Sequence, residues 1–155
     1  MTPRALDPEV VQQKLRHIAR LRQDLLAMGL IDASRLQAEP VTRHAGEWIL
    51  TQIAQLAAAS ACYLVVRSGD QVPATYREAF RLLAVGEVID PVLADRLQAL
   101  AGMRNLLVHR YDDIDLTMLA DGLLRLPDDA EAFVRQITAE IRRLLGESCP
   151  DARPS

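Results

Sequence analysis

Val10, Leu15, Ile18, Leu21, Leu25 and Leu26 recur at three- and four-residue steps among Arg, Gln and Lys. That is the period of a helix with one apolar face. Asp7-Pro8 ahead of it supplies an N-cap and a proline at the first helical position. Gly29 ends the run, and a linker leads to Pro40. A second helix is predicted from Thr42 or His44 to about Arg67, with Ile49, Ile53, Leu56, Ser60 and Tyr63 on one stripe. Ala54, Ala57, Ala58, Ala59 and Ala61 thin its middle, so a neighbouring helix can approach closely there. Ser68-Gly69-Asp70 is a stop signal. Pro73 precedes a short predicted helix, Thr75 to Ala84, with Tyr76, Phe80 and Leu83 at apolar spacing and Gly86 at its end. Asp90-Pro91 repeats the Asp-Pro start, and a fourth helix runs from Pro91 to about His109. After an acidic turn, Asp112-Asp113-Ile114-Asp115, a fifth element spans Leu116 to Leu124. Pro127-Asp128-Asp129 then reads as the opening of a last helix to about Leu145, carrying Phe133, Ile137, Ile141 and Leu144.

The breaks are short and no segment repeats, which predicts one all-α domain over 1–146, an antiparallel bundle of about five helices, with 147–155 as a disordered tail. A chain of 155 residues, half of them hydrophobic, is long enough to bury a core without staples. Ala, Leu, Arg, Gln and Glu dominate, and aromatics are 4%, a balance that favours helix over strand. The net charge of −3 does not announce a nucleic-acid binder, although one face of an acidic protein can still be basic. The most apolar stretch, Ile53 to Val66, is interrupted by Gln55 and Ser60 and falls short of the ~18 apolar residues of a membrane span. Asp7 and Glu9 come early, with no basic-then-apolar leader, so the cytoplasm is the expected compartment. Cys62 and Cys149 form no metal-like spacing, and Cys62 reads as a packing residue. His17 lies among Arg16, Arg20 and Arg22 and reads as solvated; with His44 and His109 it is too dispersed to argue for a metal site. No metal or other cofactor is expected. No Gly-rich phosphate loop is present, which counts against nucleotide binding.

The fourth helix breaks its own pattern. Leu93, Leu97, Leu100 and Leu107 form one stripe, and Arg104 stands in the middle of it. A guanidinium cannot shed its charge, and burying it unpaired is costly. Arg104 therefore either pairs with a carboxylate at the core edge or lines a cleft that the apolar face borders.

The run Arg104-Asn105-Leu106-Leu107-Val108-His109-Arg110-Tyr111 resembles the signature of HEPN ribonucleases, an Arg, a polar residue, three variable residues and a His. The Tyr two places after the His is similar to the HepT-toxin form, Arg-x4-His-x-Tyr. The Ala-rich stretch from Arg43 to Ala61, the segment Pro73 to Leu83, the acidic turn after Tyr111 and the helix from Asp128 to Ile137 resemble the family as well. The likeness spans roughly residues 8–145, with the first forty matching only in helical character.

The resemblance implies a toxin that cleaves RNA without a metal. His109 would take the 2′-hydroxyl proton, Arg104 would stabilise charge on the phosphoryl oxygens, and Asn105 would orient the Arg, the His or the RNA. The residue types suit those roles: an imidazole accepts a proton near neutral pH, and a guanidinium offers phosphate a fork of donors. Arg43 and Arg110 are candidate RNA-binding residues, and Glu47 is an acidic residue near a point where the family often has one. Tyr111 matches the residue that a minimal nucleotidyltransferase (MNT) antitoxin adenylylates; the alternative for it is an aromatic that packs the helix end. Transfer RNA is the substrate that the resemblance suggests. Positions five apart on a straight helix lie roughly 140° apart, so Arg104 and His109 do not face the same way. Either the helix ends or bends before His109, or two chains complete the site. The family's dimeric habit favours a homodimer in which two copies of the motif face each other. A competing reading is a non-catalytic dimeric helical interaction module of the same fold.

Overall fold

The computed structural model describes residues 6–69, 71–109 and 114–146. Six helices follow one another: α1 (Pro8–Ala27), α2 (Ala33–Ala38), α3 (Pro40–Ser68), α4 (Tyr76–Val85), α5 (Pro91–His109) and α6 (Leu116–Leu144). No strand occurs among the described residues. The all-helical expectation holds, with differences in detail.

Local chemistry fixes most of the helix starts. The Asp7 carboxylate accepts from the Glu9 amide at 3.1 Å and Pro8 opens α1. Thr75 accepts from the Glu78 amide at 3.1 Å while Glu78 reaches back to the Ala74 amide at 2.7 Å, a reciprocal cap at the start of α4. Asp90 accepts from the Leu93 amide at 2.7 Å and is held by Gln136 of α6 at 2.7 Å. These hydrogen bonds, the Leu93 amide first and Gln136 second, hold the Asp90 carboxyl below its ordinary pKa.

The elements differ from the sequence pattern in detail, and α3 starts at Pro40 rather than at Thr42 or His44. The linker after Gly29 contains α2, capped by Asp32 and anchored by Leu36, which is fully buried. Arg35 of α2 also donates to the carbonyls of Met28 and Leu30, satisfying the chain just beyond α1. α6 continues through Pro127 where two elements were expected. A proline inside a helix costs about 3 kcal/mol. Burial of Leu123, Leu126, Pro127 and Ala130 on either side offsets it. In α1 the buried stripe starts at Val11 rather than Val10, and Leu26 is exposed. The expected tail, 147–155, and Cys149 lie outside the described residues.

Cross-helix contacts set the directions. Tyr63 of α3 accepts from the Asp7 amide at 3.0 Å, and Arg22 of α1 donates to the Pro127 carbonyl at 2.8 Å and to Glu131 at 3.1 Å. Gly46 packs on Leu123, Gly122 on Leu50 and Met103, and Arg96 pairs with Asp129 at 3.2 Å. Near the far end of α3, Leu64 and Val65 share a cavity wall with Glu140 and Arg143. α3 and α6 therefore run one way, while α1 and α5 run the other. The N-terminal turns of α3 and α6 and the C-terminal turns of α1 and α5 meet at one end of the bundle.

α3 is the axis. Taken over its whole length, Pro40–Ser68, rather than over the shorter run Ile53 to Val66 that falls short, it is long and apolar enough to cross a membrane, yet much of its surface is covered by the other helices. Ala54, Ala57, Ala58 and Ala61 are 0–1% exposed. Gly46 leaves room for Leu123, since a Cβ there would stand 2.8 Å from its Cδ1. Phe80 and Phe133 meet edge to face at 6.4 Å on the α4–α6 side.

Ala58→Leu is expected to destabilise the fold by about 1–3 kcal/mol through overpacking, read as a lowered urea midpoint with an unchanged slope. Asp129 gives a pH signature. Burial is the largest influence on it and pushes its carboxyl above the ordinary value, against the lowering by Arg96. The folded chain thus holds that proton more tightly than the unfolded chain. This contribution to stability is present below the unfolded pKa of about 3.9 and is lost as pH rises through the folded value. In Asp129→Asn that loss is expected to disappear from the stability–pH curve.

Candidate active site

α5 presents two faces to two environments. Leu93, Leu97, Leu100 and Leu107 are buried as the stripe predicted. Asn105, Leu106 and His109 are exposed. Arg104 sits between the two, half-buried. Its Nη1 donates to the Asn105 side chain at 3.2 Å, and its guanidinium carbon lies 5.4 Å from the centre of the Tyr76 ring of α4. Its Nε is buried without a hydrogen-bond partner among the described residues. Of the two options that the sequence left for Arg104, a carboxylate partner is not seen among the described residues. The cation rests on an aromatic face instead, a contact worth about 0.5–2 kcal/mol. Among the described residues the other Nη donors of Arg104 have no hydrogen-bond partner, and such a fork of donors suits an oxyanion.

His109 is the last residue of α5, and the helix reaches it unbroken. It stands about 7.5 Å along the axis from Arg104 and roughly 140° around it. The helix does not end before His109, so the first way of bringing the two side chains together is not the one adopted here. Arg104 looks toward α4; His109 looks outward beside Asn105.

The remaining candidates divide. Arg43, in the second turn of α3, pairs with Glu47 at 2.8 Å. The antiparallel run of α3 and α5 puts that pair at the same end of the bundle as His109. His44 and His17 are exposed. Burial raises the Cys62 thiol above its ordinary pKa, which suits a packing role. Arg110, Tyr111, Asp112 and Asp113 lie outside the described residues. Among the described residues, no group of three or more His, Cys, Asp or Glu is placed to hold a metal ion. A groove of about 360 Å³ between α5 and α6, lined by Leu50, Met103, Met118 and Asp129, opens on a different flank of α5 from His109.

Tyr76 is the contact of Arg104 that the sequence pattern did not assign. Its spacing marks it only as an apolar position of a short helix. Its partner is twenty-eight residues on and on another element, so no local spacing marks the pair. The available signal was indirect, a cation in an apolar stripe that needed an unidentified neighbour.

Residues 11–137 match the family model described as ribonuclease HepT-like. Among curated proteins, the chain is 33% identical over 69 residues to the mRNA nuclease HepT of Shewanella oneidensis, a match covering 44% of this chain and only 52% of that protein. It is 25% identical over 143 residues to the tRNA nuclease HepT of Aphanizomenon flos-aquae, covering 92% of this chain and 97% of the relative. Among solved structures, it superposes on the tri-AMPylated Shewanella oneidensis HEPN toxin in complex with MNT antitoxin with a TM-score of 0.77, at 22% identity, over 87% of this chain and 99% of that one. A toxin–antitoxin complex with AMP-PNP gives the same TM-score at 21% identity, over 84% and 98%. At these identities the superpositions speak for the fold, and the family match carries the assignment: this chain belongs to the HepT-like ribonuclease family.

Proposed function

We propose that the chain is the toxin of a toxin–antitoxin pair, a cytoplasmic endoribonuclease that cleaves RNA through Arg104, Asn105 and His109 without a metal. The observation that carries the reading is Arg104 itself: a permanent cation half-buried against Tyr76, bonded to Asn105, and with no carboxylate beside it among the described residues. A buried-edge charge with spare donors is suited to a phosphate.

In the proposed reaction, His109 removes the proton from a ribose 2′-hydroxyl. The 2′-oxygen attacks the adjacent phosphorus in line, the bond to the 5′-oxygen breaks, that oxygen leaves as a 5′-hydroxyl by taking a proton from water, and a 2′,3′-cyclic phosphate remains. Arg104 stabilises the negative charge that builds on the phosphoryl oxygens, and Asn105 fixes the direction of the guanidinium through their hydrogen bond. Because α5 is continuous through His109, one chain holds the guanidinium and the imidazole on different sides of the helix. A homodimer that sets two α5 helices face to face would let the His109 of one copy serve the Arg104 of the other. The names of the relatives support RNA as substrate, messenger in one case and transfer in the other. The AMPylated toxin in its antitoxin complex supports an MNT-type nucleotidyltransferase as the partner; Tyr111, matched through the Arg-x4-His-x-Tyr spacing, is the residue proposed to receive AMP. The added phosphate would repel RNA beside the catalytic pair.

Induced expression of the unmodified chain is expected to arrest growth and cut RNA, whereas Arg104→Ala and His109→Ala fall by about 100-fold or more in cleavage rate. Folded wild type that leaves RNA intact would instead favour a non-catalytic interaction module. Mixing the two inactive variants tests the shared site: cleavage should reappear in the mixed dimer, and its absence would place both groups in one chain. Tyr76→Leu should reduce kcat/KM by about tenfold, while Tyr76→Phe, which keeps the ring face, should stay near wild type. With the antitoxin and ATP, mass spectrometry should find AMP on the wild-type chain and not on Tyr111→Phe.

A further inference from the structure

α4 sends a second guanidinium to α5. Arg77 follows Tyr76 in the first turn of α4, and its head group lies against the Cα of Gly102, where a Cβ would collide with Nη2 and approach Cζ within 3.3 Å. Gly102 is in the interior of α5 with no positive φ, so the backbone does not require glycine there. Glycine in such a place destabilises a helix relative to alanine. What its absence of a side chain provides is a seat for the guanidinium.

The seat is on the face that matters. Gly102, Asn105 and His109 fall within roughly 60° of one another around α5, whereas Arg104 points away from them toward Tyr76. Arg77 is exposed, and among the described residues it has no ion-pair partner. Arg81, one turn further on, is by contrast 3.8 Å from Glu78, and Arg43 is paired with Glu47. On a chain of net charge −3, a uniformly basic surface is not available to hold RNA. Individual cations that are fixed in place must do so.

We infer that Arg77 is a phosphate-binding residue that holds the RNA strand along the His109 face of α5, with Gly102 as its seat. The inference rests on the ribonuclease reading above. Gly102 stands about 10 Å along the helix from His109. Arg77 therefore grips a phosphate flanking the scissile one, and its role is to hold the strand rather than to stabilise the reacting group.

The test is RNA binding rather than cleavage, so that it does not depend on turnover. In the His109→Ala background, fluorescence anisotropy with end-labelled bulk transfer RNA is followed across a salt series. Arg77→Ala should weaken binding by about tenfold at low salt, and the slope of log affinity against log salt should become shallower by about 0.7–0.9, the loss of one phosphate contact. Arg77→Lys should keep the slope. Gly102→Ala retains the charge but pushes the guanidinium off its seat, so binding should weaken with the slope preserved. An Arg77→Ala chain with unchanged affinity and slope overturns the inference. So does a weakened chain whose slope is unchanged and whose urea midpoint has fallen, because that is a structural role. If the His109→Ala parent itself fails to bind RNA, the ribonuclease reading fails and this inference with it, an outcome told apart by its appearance before any change at Arg77.

Discussion

Close approach to α3 is the constraint on which the arrangement depends. A helix can be covered by neighbours on several sides only if its own side chains take little room, and the middle turns of α3 carry Ala54, Ala57, Ala58 and Ala61, each almost wholly buried. Helix axes that meet over such small residues lie at the short end of the usual 8–10 Å separation. Gly46 and Gly122 extend the same economy of volume toward the other end of the bundle, where Leu123, Leu50 and Met103 fill the space left open. With α3 thin, α4 and α5 both reach it and each other. That three-way contact is what brings the start of α4 under the last turns of α5.

The charge distribution follows from that packing. α4 contributes an aromatic face to Arg104 and its own Arg77 to the opposite flank of the same helix. Neither cation is neutralised by a neighbouring acid among the described residues, although carboxylates outnumber basic groups in the chain as a whole. Several acids are engaged in helix caps, such as Asp7, Asp32 and Asp90, and in pairs, such as Arg96–Asp129 and Arg43–Glu47. Among the described residues, the guanidinium groups of Arg104 and Arg77 beside α5 are thus left without an acidic partner.

Much of this was legible in the residues. Asp7-Pro8 and Asp90-Pro91 mark two helix starts, because capping and the fixed φ of proline act within a few residues. The span of α5 and the anomaly of Arg104 in its leucine stripe follow from period alone. What escaped was tertiary. α2 has six residues and a single buried side chain, Leu36, so it has no period to detect. Pro127-Asp128-Asp129 has the local form of a helix start, and only burial of the residues around it keeps α6 whole. The Tyr76–Arg104 and Arg77–Gly102 contacts join elements separated by a turn, and nothing in the spacing of one element announces the side chain that another will bring.

Arg22 reaches across α6 to the Pro127 carbonyl and to Glu131, partners 105 and 109 positions further along the chain. α3, α4 and α5 follow one another in the chain and contact each other, but α1 has nothing from α6 to close against until α6 has been made. During synthesis, at about 5–20 residues per second, α5 and its Arg104 leave the ribosome several seconds before α6 can seal the bundle. A nascent chain therefore carries the chemistry of the site for an interval without the closed frame that holds it in register. The order of the helices leaves the frame around α5 open until α6 has been made.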